Sequence, residues 1–182
     1  MAQNPQATGA TRIDDDGALV VSNRVSPGVS EAIIDALLDD GIVGLVDYDI
    51  GPSLDKDLLD DTNGVGRGSI TALQEFSRVG GYILAHKDGL DRIIAGRARP
   101  GSLRFERIQL DDGSTKVLKC VQLDAYGEVK KGEFEGLDQL ANTEGLIRHT
   151  FLPLDEDSRA DVIEQIVSAV TVLERSGRLT YQ

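Results

Sequence analysis

Residues 80–123 read GGYILAHKDGLDRIIAGRARPGSLRFERIQLDDGSTKVLKCVQL. Four runs rich in Ile, Leu, Val, Phe and Tyr occupy Tyr82–His86, Arg92–Ala98, Leu103–Leu110 and Lys116–Leu123, and the breaks between them hold Lys-Asp-Gly, Arg-Pro-Gly and Asp-Asp-Gly-Ser. Gly, Asp and Pro supply the backbone angles a tight reversal needs, while branched and aromatic side chains suit a pleated, half-buried surface. The spacing predicts an antiparallel meander of four strands.

Working outward, the pattern changes to a helical period on both sides. Upstream, Ser26-Pro27 is a start signal, Val29, Ile33, Ile34, Leu37 and Leu38 share one helical face, and Gly41 ends it, which predicts a helix at about 28–40. Ala18–Ser22 reads as a short strand, and the apolar run Ile42–Val46 as a buried one. Residues 51–68 are polar and Gly-rich and read as an irregular loop, followed by a helix from Ser69 with Ile70, Leu73 and Phe76 inward, ending at Gly80-Gly81. Downstream, Gly136–Asn142 reads as a short helix and Ile147–Leu152 as a strand. The last helix carries Ile163, Ile166, Val167, Val170 and Leu173 on one stripe, with Asp155, Glu156 and Asp157 near its start and Arg175 in its last turn. The expected fold is α+β: a mostly antiparallel sheet, able to curl into a small β-barrel, flanked by about three helices. Residues 1–17 lack periodicity and read as a disordered or extended arm, and 18–182 as one domain.

The chain of 182 residues has 31 Asp plus Glu against 19 Lys plus Arg, a net charge of −12. Asp outnumbers Glu 21 to 10 and Arg outnumbers Lys 13 to 6. Short acids and scarce Lys suit a surface that stays hydrated in concentrated salt, where screening removes self-repulsion, and point to a halophilic, archaeal or viral source. A GC-rich genome gives the same bias. One Cys excludes an intramolecular disulfide, and no apolar run approaches the roughly 20 residues of a membrane span, so a cytoplasmic protein without a membrane partner is expected.

The charge is uneven. Arg78–Arg107 holds 7 bases and 3 acids, net +4, whereas the other 152 residues carry −16. A positive island in a negative field attracts anions, unless its arginines merely neutralise adjacent acids in surface pairs. On the predicted strands, Arg92, Arg97, Arg99 and Arg104, with Tyr82 and Phe105 nearby, form a surface able to track phosphates and stack bases. Arg67, in the Gly-rich run Gly64–Ser69 at a helix start, would add an anion contact.

Two further constellations carry chemistry. Asp47 and Asp49 follow the buried strand Ile42–Val46, and alternate residues of an extended segment point the same way, so the pair could hold Mg²⁺ through oxygen ligands. His86 and Lys87, at the end of a predicted strand beside the island, would then be helpers, His86 as a proton donor or a phosphate contact, unless His86 is a surface residue at a turn. The triplet Glu128-Val129-Lys130 is of the acid-x-Lys kind found in Mg²⁺-dependent nucleases, but Gly127 and Gly132 bracket it as a loop. Cys120, among apolar residues, reads as core packing.

These observations order the expectations. First stands a nucleic-acid-associated binding protein, its partner nucleic acid or another polyanion, using the Arg-rich sheet. An alternative is a Mg²⁺-dependent phosphoesterase or nuclease with Asp47 and Asp49 as ligands. Another is an assembly subunit that meets a protein partner, or itself, through the N-terminal arm.

Overall fold

The computed structural model describes residues 18–25, 28–46, 50–59, 65–87, 92–130, 132–133, 151–154 and 156–182. The expected arm at 1–17, the metal pair Asp47 and Asp49, and the short helix at 136–142 lie outside them. In chain order the elements are β1 (Leu19–Val25), α1 (Glu31–Asp39), β2 (Ile42–Val46), α2 (Val65–Val79), β3 (Gly81–Lys87), β4 (Ile93–Ala98), β5 (Leu103–Gln109), β6 (Thr115–Gln122), β7 (Ala125–Val129), β8 (Phe151–Pro153), α3 (Glu156–Arg175) and β9 (Thr180–Tyr181). The architecture is α+β. A six-stranded sheet runs β8-β1-β3-β4-β7-β9, a second sheet runs β2-β6-β5, and neither closes into a barrel among the described residues.

The larger sheet is the middle layer. On β1, β3 and β4, side chains alternate between two cores, as the two-residue period of a strand requires. Val20, Leu84, Ile93 and Ala95 meet Ile163, Ile166, Val170 and Leu173 of α3. Val21, Ile83, Ala85 and Ile94 face the opposite way, into a core shared with Leu38 of α1, Leu73 and Phe76 of α2, and Leu118 of β6. Burial on both faces explains the apolar runs Leu19–Val21, Ile83–Ala85 and Ile93–Ala95 within these strands. No helix among the described residues is long and apolar enough to cross a membrane.

The meander is split, a correction to the expected four-stranded run. Only β3–β4 and β5–β6 pair as antiparallel neighbours within it, and they belong to different sheets. The cause lies at Arg99-Pro100-Gly101, where the amides of Gly101 and Ser102 donate to the Ser77 carbonyl in the last turn of α2, at 2.7 and 3.2 Å. The chain is thus drawn off β4 and onto the other sheet. The vacated edge of β4 is taken by β7, so Glu128-Val129 is strand and not loop. Next to β3 on its other side lies β1, and that pairing is parallel.

Two boundaries also move. α2 begins at Val65, so the irregular loop is shorter than expected and Ser69 is a buried residue inside the helix rather than its cap. β2 has a register shift between Val43 and Val46, with Gly44 at φ +91°. The Gly44 amide that leaves the ladder there donates to Oδ1 of the fully buried Asn23 on β1, at 2.9 Å. That bond reconciles a polar side chain with the core, since a buried N–H must find an acceptor.

Candidate functional site

The turn that ends α2 builds one wall of a cleft. Gly80 adopts φ +77° and its amide donates to Phe76 O at 2.7 Å, closing the helix. Gly81 then starts β3 so near β1 that a Cβ on it would stand 2.0 Å from Leu19 O. Only glycine allows that approach. The next residue, Tyr82, lies directly across the antiparallel ladder from Arg97 on β4, so the two side chains stand on the same face as neighbours. Arg99 follows where the strand runs out before Pro100. Gly80, Gly81, Tyr82, Arg97, Arg99 and Asp124 line an open cleft of about 450 Å³.

Electrostatics inside the cleft are mixed. Asp124 Oδ2 lies 3.5 Å from Arg99 Nε and 3.9 Å from Arg97 Nε, so one carboxylate faces two guanidinium groups. Asp124 itself is held in place because its amide donates to Arg97 O at 3.0 Å. Arg97 also reaches Glu174 Oε1 in the last turn of α3, at 3.4 Å. The Arg99 side chain nevertheless keeps 81% of its surface exposed and Arg97 keeps 36%. Exposed pairs of this kind are weak, about 0–1 kcal/mol each, and both arginines retain donors for a second partner.

The other positive residues lie apart from this pair. Arg92 turns to the face opposite Arg97 and contacts Asp35, Asp39 and Glu128, with its side chain 17% exposed. Lys87 donates to Asp35 Oδ1 at 3.1 Å. This hydrogen bond, opposed by some burial and joined by Arg92, holds the Asp35 carboxyl below its ordinary range. His86 is 3% exposed, enclosed between β1 and β4. Neither His86 nor Lys87 therefore faces the cleft. Arg104 sits on the smaller sheet, bonded to Glu106 at 2.7 Å and to Gln122 Oε1 at 2.5 Å. Arg67 is exposed in the first turn of α2.

Of the sequence-derived set the structure thus joins Arg97 and Arg99 and separates Arg67, Arg92 and Arg104 from them. The places of Asp124 and Glu174 beside the two arginines arise from pairing of β4 with β7 and from packing of α3, which no local spacing records. Among the described residues no group of three or more His, Cys, Asp or Glu could hold a metal ion. Cys120 is buried in β6, and loss of solvation pushes its thiol up to about 12, so it stays a protonated core residue at neutral pH. Compared with known protein families, with curated proteins and with solved structures, the chain matches none.

Proposed function

We propose that the protein binds single-stranded nucleic acid in the cleft between the start of β3 and the end of β4. The observation that carries this reading is the convergence of an aromatic ring, Tyr82, with two partly exposed guanidinium groups, Arg97 and Arg99, on one open concavity. Phosphate binds a guanidinium fork through paired charge-assisted hydrogen bonds. An adjacent ring offers a stacking face that any base fits. A cavity of about 450 Å³ suits one nucleotide or a few, not a long duplex face. Asp124 moderates the site. Its carboxylate offsets part of the charge of both arginines and opposes a bound phosphate by like charge.

Fluorescence anisotropy with a labelled single-stranded oligonucleotide, at low salt and with folding checked by circular dichroism in the same buffer, tests the reading. Binding is expected, and Tyr82→Leu should weaken it about 5- to 150-fold, the range for loss of one base–aromatic stack. Absence of binding at low salt, or a folded Tyr82→Leu protein with unchanged affinity, overturns it.

A further inference from the structure

We propose that β5 pairs edge to edge with β5 of a second copy of this chain, antiparallel and in a register centred on Phe105. β5 is the outer strand of the β2-β6-β5 sheet. It is seven residues long, LRFERIQ, and it follows β6 without interruption from Leu103↔Val121 to Gln109↔Thr115. It therefore has no bulge, and it contains no proline. Soluble proteins usually blunt an edge with one of those devices, by shortening it or with charged side chains, because a regular edge is a template for another strand. β5 is charged, but Arg104 and Glu106 on one face are of opposite sign and can pair across the edge. Phe105 in its middle is 39% exposed.

Symmetry narrows the register. Two identical strands joined antiparallel across a sheet edge are related by a two-fold axis normal to the sheet, so each residue meets one of the same face, and one residue meets its own copy. A centre at Arg104, Glu106 or Arg107 sets a charge against itself. A centre at Phe105 sets Arg104 opposite Glu106 twice and ring opposite ring, a cross-strand aromatic pair flanked by two opposite-charge pairs. Arg104 and Glu106 already share a face, 2.7 Å apart, so the pairing extends one ion pair into a four-charge network. The net charge of −12 per copy opposes association, and added salt screens that repulsion.

Sedimentation velocity across a salt series from about 0.15 M to about 1 M, over chain concentrations up to about 1 mM, should show a species of twice the chain's 19.6 kDa growing with concentration, with the charge-reversal variants compared at the lowest salt at which it forms. Glu106→Arg sets positive against positive and should weaken association at least about tenfold, and Arg104→Glu combined with Glu106→Arg should restore it. A register check uses Phe105→Cys, which should oxidise to a linked pair of chains, whereas Arg107→Cys should not. A single-copy mass throughout, association unaffected by Glu106→Arg, a folded double variant that stays as weak as the single one, or equal cross-linking at both cysteine positions overturns the proposal.

Discussion

Asp124→Asn offers a perturbation whose sign is opposite to that of most site substitutions. The carboxylate lies 3.5 Å from Arg99 and 3.9 Å from Arg97, so a phosphate that binds both arginines must compete with it. Each contact involves a substantially exposed guanidinium, which limits its worth to about 0–1 kcal/mol, or at most about 2 kcal/mol for the two together. At about 1.4 kcal/mol per tenfold, neutralising Asp124 should tighten binding of a single-stranded oligonucleotide by up to about 30-fold. Asparagine preserves the shape of the side chain, and the backbone bond from residue 124 to Arg97 O does not depend on it. Anisotropy titrations of wild type and variant at one salt concentration give the ratio directly. A folded Asp124→Asn protein that binds the oligonucleotide more weakly than the wild type overturns this reasoning, because the carboxylate then does not compete with a phosphate for the two arginines.

Three further outcomes test the framework around the cleft. Asn23→Ala leaves the buried Gly44 amide at the β2 bulge without its acceptor and should cost about 1–3 kcal/mol in urea denaturation. Phe76→Ala removes a fully buried ring that meets Phe151 edge-on at 5.7 Å, and should cost about 3–5 kcal/mol by the same assay. At low pH, the Arg178 hydrogen bond, aided by the Lys130 amide, holds Glu133 down to about 2 from an ordinary 4.5. The stabilisation from this latch is therefore complete above about pH 4.5 and lost as pH falls through about 2, and Arg178→Ala should return the carboxyl midpoint, followed by NMR, toward 4.5.

Elements whose hydrophobic period is local were legible in the sequence. The stripe Ile163, Ile166, Val170 and Leu173 forms α3, and Ile42–Val46 is β2 at the residues expected. Partnerships were not legible. The turn at Pro100-Gly101 looks like any hairpin signal, yet the Ser77 carbonyl of α2 captures its amides and sends β5 to another sheet. The parallel β1–β3 pair is equally silent, since a strand buried on both faces carries no alternation to reveal its neighbour. The same limit applies to the site. The charge count isolated the segment holding Arg97 and Arg99, but a count along the chain does not tell which side of a strand each arginine takes. Arg92 and Arg97 sit five residues apart and turn to opposite faces, one to α1 and the other to α3.

If Arg97 and Arg99 neutralise phosphates of a single strand, binding must weaken as salt rises, and by an amount set by these two residues. Two phosphate contacts on a single strand predict a slope of log K against log salt of about −1.4 for the wild type, falling to near zero when both arginines are replaced by alanine. A slope that is the same in the wild type and in the folded double-alanine protein would mean that the two arginines do not receive phosphate.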